Sequence, residues 1–312
     1  MAINLGAEAR KLFQPIDVGR AAVVGDDGEI VDWASLKTYR YLRLGMVIVV
    51  VALAAAIVLE HRKAGCFQES ISAYYFTPAR SVFVGALIAI GVSLIVIKGS
   101  TAFEDGCLNV AGMLAPIVAF VPTTDVGVCW SEDPGRSPLN PDGTLAPWVK
   151  ANVDNNVGAL LIAGAVALVA AVVIATIAAK VDRKPVLDSA RRLDAGTVIG
   201  LVATLVLILV GTALLWWWDG FATGSHGIAA GVMFGFLALA AVGNGVQGLR
   251  ATPRSSWGGW YLAVGVVMAV VAVALQLPRD WDHRILVLEI VEVALFVAFW
   301  VIQSFERWRR TV

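Results

Sequence analysis

Glu289 and Glu292 are the residues best placed to do chemistry, because they stand inside the otherwise apolar run ILVLEIVEVALFVAFWVI. A spacing of three puts both on one face of a helix. A carboxylate in such a run is costly in lipid and normally faces a partner or a water-filled cavity. The pair could handle protons or cations, or form part of a metal or substrate pocket. It could also be a structural pair held by Arg80, Arg284 or a histidine at the same depth.

Three histidines, His61, His226 and His283, fall at the ends of apolar runs, with Glu60, Asp219 and Asp282 close by in sequence. Three imidazoles can hold zinc and leave one position open for water. Zinc is therefore a candidate cofactor, with Glu289 or Glu292 activating the water. The spacing has no HExxH or HxxxH signature, and interfacial histidines in contact with water and headgroups are the plainer reading.

The stretch SISAYYFTPARSVFV, residues 70–84, is the densest in polar groups. Thr77 suits a helix N-cap and Pro78 the first helical position. Ser70, Ser72, Tyr74 and Tyr75 precede them and are expected at headgroup level. Arg80 falls in the first turn, where the helix dipole disfavours a cation, so it calls for an anion. A lipid phosphate, a substrate carboxylate and Glu289 or Glu292 are the candidates; an arginine snorkelling to the surface is the alternative.

Helices must carry these groups. The chain is 58% hydrophobic and 15% charged, with a mean hydropathy of +0.77. One soluble core cannot hide that much apolar surface; the surplus must face something other than water, and lipid is the natural candidate. Runs of about 20 apolar residues are needed to cross a bilayer. Eight candidates stand at 42–60, 81–98, 107–122, 157–179, 195–218, 227–248, 259–277 and 285–304, which predicts an all-α polytopic transmembrane bundle. The third is the shortest and contains Pro116, which predicts a kink.

Counted in alternate loops, 17 of the 24 Lys and Arg residues fall on the side of both termini. The positive-inside rule makes that side cytoplasmic. Lys180, Arg183, Lys184, Arg191 and Arg192 weigh most. Trp216, Trp217, Trp218 and Trp281 then mark the outer interface, and Trp257, Trp260, Trp300 and Trp308 the inner one.

Residues 1–41 form an expected cytoplasmic segment, residues 42–304 the bundle with an outer loop at 122–156, and residues 305–312 a basic cytoplasmic tail. No apolar core ahead of a cleavage site stands in residues 1–43, so targeting is expected from the first apolar run. AAVVGDDGEIVDW, residues 21–33, fits a short hairpin about its Asp-Asp-Gly turn, and residues 33–43 an interfacial helix. Cys66 and Cys129 fall in outer loops, where the oxidising side allows a disulfide between them; two free thiols are the alternative. Asn109, Asn244 and Gln247 are expected to bond helix to helix, and Gly243, Gly245 and Gly248 to pack helices closely. A net charge of zero gives no hint of a nucleic-acid partner.

Ser70, Ser72, Tyr74, Tyr75, Thr77, Pro78 and Arg80, followed by Asn109, Ala111, Gly112, Pro122 and Thr123, resemble a pattern of bacterial polytopic membrane proteins of unknown function. The resemblance covers residues 69–123 and implies a bacterial cytoplasmic membrane, but no activity. Similar proteins carry a His at the start of the following span, where this chain has Asn155 and Asn156. The layout is also loosely similar to alkaline ceramidases and progestin-type receptors, whose paired histidines in one late helix are missing here.

Three functions remain open at this point. The leading one is a non-enzymatic membrane protein with an outer pocket for a lipid headgroup or small anionic ligand, lined by Ser70, Ser72, Tyr74, Tyr75, Arg80, Glu289 and Glu292. The others are a zinc-dependent intramembrane hydrolase and a structural subunit of a membrane complex. The bilayer and other membrane subunits are the expected partners.

Overall fold

A computed structural model describes residues 23–24, 30–31, 33–124, 129, 140, 145–181, 195–251, 255–275, 281 and 283–310. The expected Asp-Asp-Gly turn, the loop carrying Arg183 to Arg192, most of the outer loop and the Trp308 side chain lie outside the described residues.

Two two-residue strands, β1 (Val23–Val24) and β2 (Ile30–Val31), pair antiparallel with Val23 opposite Val31. Among the described residues everything else regular is helical: α1 (Trp33–Ala64), α2 (Arg80–Val96), α3 (Ala102–Phe120), α4 (Pro147–Val181), α5 (Ala195–Trp217), α6 (Phe221–Arg250), α7 (Gly258–Ala274) and α8 (Arg284–Arg310). A 3-10 turn, Ser72–Phe76, stands between α1 and α2. Six of the helices, α1, α3, α4, α5, α6 and α8, are long and apolar enough to cross a membrane; α2 and α7 are apolar but shorter, at 17 residues each.

The expected interfacial lead-in is no separate piece, because α1 runs unbroken from Trp33 into the first span. It ends at Gly65, whose φ of 73° and N–H bond to the His61 carbonyl make a left-handed cap. The third span begins earlier than hydropathy indicates. Thr101 caps α3 by accepting from the Glu104 N–H, which draws Glu104 and Asp105 into its first turn. Hydropathy misses that turn because two carboxylates stand in it.

Helix α3 is the centre of the bundle, packed against α2, α5 and α6, while α7 lies along α6 and α8 closes against α7 and α1. The core between them holds Leu108, Ala111, Met233, Leu237, Met268, Phe296, Phe299 and Trp300. Trp300 is thus no interfacial anchor. It is fully buried, edge-on to Phe296 and Phe299, with the Arg43 guanidinium over its ring at 4.6 Å. Arg43 itself is only 3% exposed, so one of the cations counted as cytoplasmic is packed inside the bundle.

Trp216, Trp217, Trp260 and Trp281 are exposed, as an interfacial belt requires. The α4 surface is apolar and exposed at Ile162, Val166, Val169, Val172 and Ile174. A helix that shows such a face to the outside is matched by lipid, not by water.

Glycine seams bring two helix pairs into backbone contact. A Cβ on Gly91 of α2 would stand 2.7 Å from the Gly112 carbonyl oxygen of α3, and one on Gly112 would stand 2.6 Å from that of Gly91. Between α6 and α7, Gly245 abuts the Leu262 backbone and Gly258 that of Leu249. Small residues permit this approach, and dispersion between the backbones stabilises it.

Candidate functional site

The loop after α1 is tied to the start of α8. The Leu286 N–H donates to the Glu69 carbonyl at 2.8 Å. Glu289, half-buried on α8, accepts from the Ser72 hydroxyl at 2.8 Å and from the Ile71 N–H. Ser70 is spent locally, its hydroxyl accepting from the Ala73 N–H at 2.9 Å. Cys66 and Cys129 are joined in a disulfide, which ties the same loop to the segment following α3.

Tyr74 and Tyr75 pack inside the protein. Both are buried, in a cluster with Leu53, Ile57, Phe83 and Leu286. Ring size explains this: two phenols fill the angle between α1, α2 and α8 that smaller side chains would leave empty. Burial pushes both phenols above their ordinary pKa range.

The Thr77 hydroxyl accepts from the Ala79 N–H at 3.2 Å, but Thr77 is not the helix N-cap: α2 starts at Arg80, with Ala79 at the cap position and no side-chain capping bond. Arg80 finds an aromatic partner instead of an anion. Its guanidinium lies 4.1 Å from the Tyr75 ring centre and donates to the Tyr75 hydroxyl at 2.6 Å. Among the described residues no carboxylate is paired with it.

One turn deeper on α8, Glu292 is 2% exposed, and neither of its carboxylate oxygens has a hydrogen-bond partner among the described residues. It lines a cavity of about 360 Å³ between α6, α7, α8 and the end of α3. Ser70, Thr123, Thr124, Thr223, His226 and Phe234 share that lining, together with Glu289 and with Gly224, Gly227 and Gly231 of α6. Arg80, Tyr74 and Tyr75 are not part of it. Among the described residues the charged groups in the lining are both carboxylates.

The three histidines do not assemble. Among the described residues no three His, Cys, Asp or Glu side chains come together as metal ligands. His61 stacks flat on Phe67, with ring centres 3.7 Å apart. His226 is buried with its Nδ1 at 2.5 Å from the Val121 carbonyl, and His283 is exposed. A hydrogen bond of that kind fixes which nitrogen carries the proton. Only His226 reaches the cavity.

A second buried carboxylate is inconspicuous in the sequence. Glu104 on α3 is 1% exposed. Its Oε1 accepts from the Asn244 amide of α6 at 2.8 Å and the Gln303 amide of α8 at 2.5 Å. Its Oε2 accepts from the Ser100 N–H and hydroxyl. Asp105 beside it takes Lys98 at 2.9 Å and the Gly99 N–H at 2.9 Å. The one signal that could have found Glu104 is the capping-box spacing, with Thr101 three residues before it.

Comparison with family models, curated proteins and solved structures found no match for the chain.

Proposed function

We propose that this chain is a multi-pass membrane protein whose acidic cavity binds a positively charged ammonium group, in a binding or transport role and not as an enzyme. Glu292 carries the proposal. A buried carboxylate without hydrogen bonds is costly unless a proton or a counter-charge meets it. The cavity around it is large enough for a small organic cation. Threonine hydroxyls can orient such a group, and the Phe234 ring offers it a π face.

In this reading the chain crosses the bilayer eight times, with both termini on the cytoplasmic side. An even number of helices returns the chain to its starting side, and the basic loops favour that side as the inner one. The short α2 and α7 span about 25 Å each at 1.5 Å per residue, and their flanking residues complete the crossing. The cavity then opens toward the outer leaflet of what the sequence resemblance implies is a bacterial cytoplasmic membrane.

An ammonium group can come from a free small molecule or from a lipid headgroup. Calorimetric titration of the purified protein with ethanolamine and tetramethylammonium tests the first source. Reconstitution in nanodiscs with and without phosphatidylethanolamine, followed by native mass spectrometry, tests the second. Saturable binding in one arm, lost in Glu292→Gln, is the expected result. Absence of binding in both arms, or binding that Glu292→Gln leaves unchanged, would refute the proposal.

A further inference from the structure

Glu104 organises a second polar site at the opposite end of the bundle. Each carboxamide that donates to it has one nitrogen and one oxygen. With Asn244 Nδ2 and Gln303 Nε2 both turned to the Glu104 carboxylate, the oxygens must point elsewhere. Asn244 Oδ1 and Gln303 Oε1 are buried without a hydrogen-bond partner among the described residues. The two side chains are 7% and 1% exposed and line a cavity of about 200 Å³ with Ser100, Gln247, Tyr261 and Glu306. Glu306 accepts from the Tyr261 hydroxyl at 2.5 Å and brings a carboxylate to the same cavity.

We infer that this cavity is a binding site for a monovalent metal cation, with the Asn244 and Gln303 carbonyl oxygens as ligands. Both residues line one cavity, and two unpartnered acceptors beside it need either donors or a cation. Glu104 holds both amides by their nitrogens, as an outer partner orients the ligands of a metal. The donor set is all oxygen and mostly neutral, which suits a hard ion of single charge; a divalent ion is normally met by more carboxylates. The site does not depend on the acidic cavity. Glu292 and Gln303 stand about 16 Å apart along α8 at 1.5 Å per residue, and Phe296, Phe299 and Trp300 fill the interval as dry core.

The test is equilibrium binding of radioactive sodium and rubidium ions to the purified full chain, with ionic strength held constant by N-methylglucamine chloride. One of the two ions is expected to bind saturably. Gln303→Met should weaken it by about tenfold or more, and Glu306→Gln should weaken it while leaving the Glu104 contacts in place. Glu292→Gln should leave it unchanged, which separates this site from the ammonium cavity. No saturable binding of either ion, the result for a cavity that holds only water, overturns the inference. So does wild-type affinity in Glu306→Gln and, where it folds, in Gln303→Met.

Discussion

Glu104 and Glu292 are the same residue type, buried to nearly the same extent, at opposite ends of one bundle. Glu104 receives four hydrogen bonds from three segments of chain. Glu292 receives none among the described residues and faces a cavity. Burial alone therefore does not tell a clamp from a binding group. The number of donors around the carboxylate does, because an ionised group that the protein itself satisfies has no need of a ligand.

The same substitution at both positions puts that contrast at risk. Glu104→Met strips the acceptor from two buried amides and from Ser100, and should cost about 3 kcal/mol of stability. Denaturant titration or steric trapping in bicelles measures it. An unchanged stability would mean that the amides find other acceptors and that Glu104 is no clamp.

The α3 start shows how much of this is legible in the sequence. Eight helices follow from apolar runs because a helix in lipid must satisfy its own backbone and show lipid an apolar face. Glu289 and Glu292 stand out by the same logic, as charges in an apolar run. Glu104 does not, because it sits in a short polar stretch that hydropathy reads as a loop. Its burial depends on Asn244 and Gln303, distant residues that only the packing of α6 and α8 brings to it. Arg80 shows the converse. Its charge and position are plain, but its partner Tyr75 is set by the 3-10 turn, which no periodicity announces.

Reduction of the Cys66–Cys129 disulfide should come next in size, with a loss of about 2 kcal/mol, the low end of the range typical of a disulfide. It bears on the Glu292 end alone. Thermal unfolding with and without reductant should show that loss, and ion binding at the Glu104 end should not change. A loss at both ends would show that the two sites unfold as one unit.

Glu292→Met should raise stability by about 1 kcal/mol, since an apolar side chain replaces a carboxylate with no partners. A fall of the same size would place an unseen donor at Glu292. Smallest of all, Arg80→Ala should cost about 1 kcal/mol or less, the worth of its contact with Tyr75. Ammonium binding should survive it, as Arg80 is not in the cavity lining. Loss of binding with intact folding would bring Arg80 back to the site.

The glycine seams fix which parts of the molecule can move. At Gly91 and Gly112, and again at Gly245 and Gly258, main chain comes against main chain because the glycines put no Cβ between them. Neither pair can slide by part of a turn without a collision of main-chain atoms. Each pair is therefore a stiff plank. A cycle that opens the acidic cavity must swing whole planks against α8, with the bending taken up at the loops, much as a hinged shutter turns without flexing its boards.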